Sequence, residues 1–176
     1  MPTSSSTPWS SAPPPEPGPD DHVRGSGPVV IEYADLECPY CAAAHLALKR
    51  LPVTRVFRHF PVTSKHPRAR VLAAAADAAG LQGRFWEMHD SLLEDQGHLD
   101  DPHLWERAKR FGLDLERFET DRRSEGAAMR VERDFNGGIR AGVTTTPTQF
   151  LAGRSHPGIP GDGFLAALRE TGEASG

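Results

Sequence analysis

A chain of 176 residues fits one folded domain, and a formal net charge of −4 is too small and of the wrong sign to suggest a nucleic-acid partner. No run of 18 apolar residues is present, which excludes a helical membrane span. Two cysteines are too few for a scaffold stapled by disulfides.

Residues 1–27 carry Pro13-Pro14-Pro15, many Ser and Gly, and few large apolar groups. Such a segment buries too little surface to offset its ordering entropy and is expected to be a disordered tail. It shows no basic stretch followed by an apolar one, so no secretory signal is read and a cytoplasmic protein is expected. Val29-Val30-Ile31-Glu32-Tyr33 reads as a short buried strand, and Ala42 to Lys49 as a helix. Val53 to Phe60 reads as a second strand that Pro61 ends.

A long helical region follows. Pro67 to Ala79 closes at Gly80, a natural C-terminal stop. Phe85, Met88 or His89, Leu92 and Leu93 recur at helical spacing, and Asp101-Pro102 opens a helix carrying Leu104, Trp105, Ala108 and Phe111. Leu115 and Phe118 mark a short helix, and a last one is expected over about 124–135. Strand character returns over 143–152, broken at Pro147, which must mark an edge, a bend or a cis bond. A further short strand and a helix over about 162–171 close the chain. The order predicts an α/β protein, a small mixed sheet covered on both faces.

Both cysteines fall in one run, Glu37-Cys38-Pro39-Tyr40-Cys41, where the first strand hands over to the first helix. Pro39 suits a first helical turn, because its missing N–H would have no partner there. Cys38 then sits at the helix N-terminus, where free N–H groups and the macrodipole favour a thiolate. Cys41, one turn on, shares its face, so the two sulfurs can close a disulfide with little backbone movement. Cys38 is set up to attack and Cys41 to resolve. The competing readings are a structural disulfide and half of a zinc site. Zinc needs about two further ligands, yet no other Cys exists and His59 and His66 are wrongly spaced. Redox chemistry is expected, with no metal.

The Cys-Pro-Tyr-Cys unit after a strand, with the later Thr146-Pro147, resembles the thioredoxin superfamily. The 109 positions from Cys38 to Pro147 exceed what thioredoxins and glutaredoxins place between these motifs, and resemble the DsbA-like branch, which inserts helices there. Arg58-His59-Phe60-Pro61, Gly83 to Asp90 and Gly142 to Thr148 fit the same branch. Within that branch the chain looks most like the DsbA-like domains fused to some bacterial sodium/proton antiporters.

The resemblance implies a thioredoxin fold over 28–172 with a helical insertion between the second and third strands, at about 64–140. It implies a protein-disulfide oxidoreductase with no resident cofactor beyond a Cys38–Cys41 disulfide, exchanging with protein or small thiols. Pro39 and Tyr40 would tune the thiolate, and Thr146-Pro147, in cis, would hold the substrate chain. Glu32 matches a buried acid of DsbA-like proteins, placed to shuttle a proton for Cys41, with burial raising its pKa; the competing reading is a surface-facing strand residue. The Pro-Tyr dipeptide, shared with glutaredoxins, implies glutathione as a redox partner, with the basic stretch from Arg55 to Arg70 as a place to attract it. The alternative function is a binding or regulatory module whose redox activity is incidental. Gln149, after the Thr-Pro motif, and Thr145 depart from the common pattern and bear on substrate fit.

Overall fold

The computed structural model describes residues 12–175, which form five strands and seven helices. β1 (His22–Gly25) is followed by β2 (Val29–Ala34), α1 (Pro39–Leu48) and β3 (Thr54–His59). Five helices come next: α2 (Ala69–Gly80), α3 (Phe85–Glu94), α4 (Asp101–Arg110), α5 (Leu115–Arg122) and α6 (Glu125–Arg140). β4 (Thr148–Leu151), β5 (Arg154–Pro157) and α7 (Asp162–Ala174) complete the described chain.

The strands make one mixed sheet in the order β1-β3-β2-β4-β5. β2 and β3 run parallel, and the other three pairings are antiparallel. Because β2 is central, five of its six residues are buried, which explains its apolar run. Alternation along the strands then divides the core. Ile31, Tyr33, Val56 and Phe150 face α6 and pack with Phe135, Ala141 and Val143. Val30 and Leu151 meet Leu48 of α1 and Phe164 and Leu168 of α7. Ala34 and Phe57, on that second face, join both cysteines, the Ala-rich face of α2, and Met88 and Leu92 of α3.

The helical elements start where local chemistry allows. Asp100, Asp114 and Ser124 cap α4, α5 and α6, their side chains accepting from the N–H three residues on. α2 begins at Ala69, two residues after the expected Pro67, and α6 runs on to Arg140, past Phe135. Only Thr148–Leu151 of the expected 143–152 strand is extended in the sheet. Gly142, at φ 84°, turns the chain out of α6, and Val143 is spent in the core against that helix.

The expected disordered tail needs correction. Residues 1–11 lie outside the described residues, but 12–27 are ordered against the body of the protein. β1 adds an edge strand, pairing His22 with Phe57 and Gly25 with Thr54. Arg58 then binds the segment before it: its guanidinium donates to the Pro15 carbonyl at 2.8 Å and to Asp21 at 2.9 and 3.0 Å. The His22 ring stacks on Phe85 at 3.5 Å. Backbone pairing and one buried arginine thus order a segment whose own side chains supply little apolar area. The helical insertion accordingly falls between the third and fourth strands, because β1 precedes the two that the sequence reveals.

Candidate active site

β2 delivers the chain to the site at its C-terminal end. After Ala34, residues 35–37 cross over and α1 begins at Pro39, with Cys38 as its N-cap in extended conformation (φ −79°, ψ 124°). No side chain caps the helix, so its first N–H groups are free to serve the Cys38 sulfur. Both cysteines are free thiols and both are buried.

The two thiols are electrostatically unlike. Cys38 is pulled down to about 5, chiefly by hydrogen bonding from the Cys41 thiol, with the Cys41 N–H, Thr146 and the Tyr40 N–H adding to it against the opposing cost of burial. Cys41 is pushed well above the ordinary thiol range, first by burial and then by Cys38 beside it. At neutral pH the pair therefore holds one thiolate, on Cys38, and one thiol, on Cys41.

The loop around them is pinned from several sides. The Asp35 N–H donates to Cys41 Sγ at 3.4 Å, and the Cys38 N–H donates to the Asp35 carbonyl at 3.1 Å. The buried Asp35 carboxylate accepts from the N–H of Glu37 and Val62 and pairs with His66 Nδ1 at 2.9 Å. From the insertion, Gln96 Nε2 donates to the carbonyls of Leu36 and Cys38 at 3.2 and 3.1 Å. Glu37 accepts from the Arg68 N–H at the start of α2. Asp35 and Gln96 carry no motif of their own. A carboxylate between a strand end and a Cys pair was the only available signal.

The sequence-derived site residues fall as follows. Pro39 and Tyr40 are exposed beside the buried sulfurs, Tyr40 by 66%. The Thr146–Pro147 peptide is cis, and its loop comes up against the pair, with the Thr146 carbonyl 3.8 Å from Cys38 Sγ. The Pro147 carbonyl accepts from the Gly158 N–H, which fixes the loop to the turn after β5. Gln149 is buried on β4, in register with Glu32 on one side and His156 on the other. With its amide turned to satisfy both groups, it donates to the carbonyls of His156 and Gly158.

Glu32 is 1% exposed, so it is no surface residue. It is buried as an ion pair. Arg55 donates to its Oε2 at 2.8 Å, and the guanidinium is itself 4% exposed. As half of that pair, Glu32 adds, after burial and Cys38, to the upward push on the Cys41 thiol. The basic stretch from Arg55 to Arg70 is likewise dispersed: Arg55 and Arg58 are buried on acids, Arg68 pairs with Asp101 and Arg70 with Glu132. Lys65, also in the stretch, is exposed.

Two His/His/Asp groups assemble among the described residues: His22, His59 and Asp77, and His45, His89 and Asp90. In the first, both imidazoles sit on one oxygen, Asp77 Oδ1, at 2.8 and 2.9 Å. In the second, Arg24 grips both oxygens of Asp90 at 2.7 and 2.8 Å. Both oxygens of Asp90 are engaged, whereas Asp77 uses only Oδ1, and its Oδ2, His59 Nδ1 and His89 Nε2 are buried without a hydrogen-bond partner. The first group joins β1 and β3 to α2, and the second joins α1 to α3, with Arg24 of β1 on Asp90.

A family model described as Thioredoxin matches residues 19–168. Among curated proteins the chain is 47% identical over 146 residues to the Na(+)/H(+) antiporter NhaA 1 of Salinispora arenicola, covering 78% of this chain and 22% of that protein. It is 38% identical over 149 residues to NhaA 1 of Mycolicibacterium vanbaalenii, covering 78% of this chain and 24% of that one. The chain thus spans less than a quarter of the length of these relatives. Among solved structures it is similar to a thioredoxin-like oxidoreductase from Silicibacter pomeroyi, with a TM-score of 0.78 at 22% identity over 90% of this chain and 95% of that one. It is also similar to DsbA2 of Pseudomonas aeruginosa, with a TM-score of 0.69 at 26% identity over 88% and 96%.

Proposed function

The chain belongs to the thioredoxin family, and from that premise we propose that it is a DsbA-like thiol–disulfide oxidoreductase working through Cys38 and Cys41. One observation carries the reading: the unequal thiols of the pair, Cys38 pulled down to about 5 and Cys41 pushed up.

In the reducing direction the Cys38 thiolate attacks one sulfur of a partner disulfide. A Cys38–partner mixed disulfide forms, and the other partner sulfur leaves as a thiolate that takes up a proton. Cys41 then gives up its proton and attacks Cys38 Sγ. The mixed disulfide breaks, the partner leaves as a second thiol, and Cys38–Cys41 remains as the disulfide. Oxidation of a partner dithiol is the same sequence reversed. The balance between them is set by the reduction potential against that of the compartment; in a reducing cytoplasm the exchange runs toward partner reduction.

The Thr146-Pro147 loop and the exposed Tyr40 flank the buried sulfurs and are proposed to hold the partner chain. Partners are proteins with accessible thiols or disulfides, and glutathione is proposed as a small-thiol partner. No helix among the described residues is long and apolar enough to cross a membrane.

The test is catalysed exchange with a disulfide-bonded protein such as insulin. The wild-type chain is expected to accelerate it, and Cys38→Ala to abolish it. A wild-type chain that leaves every offered disulfide and dithiol unchanged contradicts the proposal. A second reading, a binding module whose redox activity is incidental, is favoured by the antiporter names of the relatives. It predicts that the Cys38→Ser, Cys41→Ser double variant keeps its partner.

A further inference from the structure

We infer that His45 is a positioning residue for the resolving half of the site: it holds Arg55 on Glu32 beneath Cys41. The inference rests on the disulfide-exchange reading and adds to it a residue that no motif marks.

His45 lies one helical turn beyond Cys41 on the same face of α1, and both are 0% exposed. Arg55, on β3, spends one amino group on Glu32 Oε2 at 2.8 Å and the other on His45 Nδ1 at 3.2 Å. An arginine does not give up its proton in a protein, so it is the donor in both contacts. Nδ1 of His45 is therefore the bare nitrogen, and Nε2 carries the hydrogen that it donates to Glu94 Oε1 at 2.8 Å. One tautomer satisfies both neighbours. Glu94, on α3, is held in turn by Lys49 Nζ at 2.6 Å.

The result is a chain of five groups drawn from β2, β3, α1 and α3: Glu32 and Glu94 negative, Arg55 and Lys49 positive, His45 neutral. Its buried part is Glu32, Arg55 and His45, and Glu94 and Lys49 form its more exposed end. Arg55 Nε has no hydrogen-bond partner, so its two amino contacts are the hydrogen bonds that orient the guanidinium, whose carbon also lies 5.8 Å from the Trp86 ring centroid. Removing the His45 acceptor leaves one amino group buried and unpaired, and Arg55 then turns away from Glu32 to satisfy it. The Glu32 charge is left less compensated under Cys41. An added negative potential disfavours the dithiol form, whose thiolate it repels, and the disulfide gains. His45 touches no reacting atom and acts through Arg55.

The experiment is the glutathione redox equilibrium of the Cys38–Cys41 couple in the full chain, for wild type, His45→Leu, His45→Gln and Glu94→Ala. His45→Leu is expected to shift the equilibrium constant about tenfold toward the disulfide, the equivalent of one pKa unit, while His45→Gln stays within about threefold. The glutamine amide can accept from Arg55 and donate to Glu94, so it rescues a positioning role. Glu94→Ala, at a partly exposed position, is expected to shift the constant in the same direction but less. A folded His45→Leu that equilibrates as wild type, or a His45→Gln that shifts as far as His45→Leu, overturns the inference. Should His45→Leu not fold, an unchanged Glu94→Ala overturns it. A wild-type pair that forms no disulfide in any glutathione buffer removes the exchange reading as well. One that exchanges but ignores His45 removes this inference alone.

Discussion

Cys38 and Thr146, 108 positions apart in the chain, meet with the sulfur 3.8 Å from the threonine carbonyl oxygen. The contact joins the head of α1 to the loop entering β4, so the reactive thiol and the proposed substrate-holding backbone share one surface. The elements between them fold away as a helical body and return the chain to the same spot.

The pair should titrate asymmetrically. Cys38 is expected to ionise near 5, and Cys41→Ala to raise that value, because the Cys41 thiol is its largest stabilising contact. Thiolate ultraviolet absorbance against pH measures both. The sign follows for stability: a thiol whose folded pKa is depressed stabilises the dithiol form above its ordinary value of 9.0 and loses that contribution as pH falls toward 5. Unfolding of dithiol and disulfide forms in parallel should show the dithiol losing ground across that window.

Glu32→Gln should be costly to the fold. It removes the partner of a buried guanidinium, and breaking such a pair from one side costs about 3–5 kcal/mol. Glu32→Leu with Arg55→Leu, which removes both charges together, is expected to recover much of the loss. Urea unfolding of the three proteins checks it, and equal losses in the single and double variants would refute the pairing account.

Gly138→Ala tests how tightly α6 lies on the sheet. Helix propensity alone favours alanine by about 1 kcal/mol. Here an added Cβ would stand 2.6 Å from Phe60 Cδ2 and 3.0 Å from Tyr33 Cδ1. Overpacking of that kind costs about 1–3 kcal/mol, so the net effect should be destabilising. A rise in melting temperature would show that Phe60 yields freely.

Asp77→Asn should remove a pH-dependent contribution. Burial opposes the charge on both partners, yet their mutual attraction raises the pKa of His59 and takes that of Asp77 well below its ordinary value. A raised histidine supports the fold below its ordinary 6.5 and stops doing so as pH rises through its folded value. A depressed aspartate supports it above its ordinary 3.8 and stops as pH falls through its folded value. The wild type's advantage over Asp77→Asn should therefore peak between about pH 4 and 6.5 and narrow on both sides. A flat difference from acid to alkaline pH would contradict the ion pair.

Much of this was legible in the sequence because it is local. The strand, the Pro39-primed helix start and the spacing of Cys38 and Cys41 announce the head of α1, and Gly80 and Asp101-Pro102 punctuate the insertion. What was hidden depends on partners far along the chain. β1 is four residues long with Val23 44% exposed, and its order comes from backbone pairing to β3 and from Arg58, 37 positions from Asp21. A charge inside an apolar strand run reads as exposed until its counter-charge is found. Glu32 and Arg55 became a pair only once β2 and β3 were known to lie side by side and parallel, with Val30 in register with Arg55.

The central claim, that Cys38 attacks and Cys41 resolves, is met most directly by trapping the intermediate. The Cys41→Ala and Cys38→Ala variants would each be incubated with oxidised glutathione at neutral pH, and the adduct located by peptide mass spectrometry. A fast mixed disulfide on Cys38 in Cys41→Ala, with little or none on Cys41 in Cys38→Ala, is the predicted result. Equal labelling of the two cysteines, or faster labelling of Cys41, would contradict it.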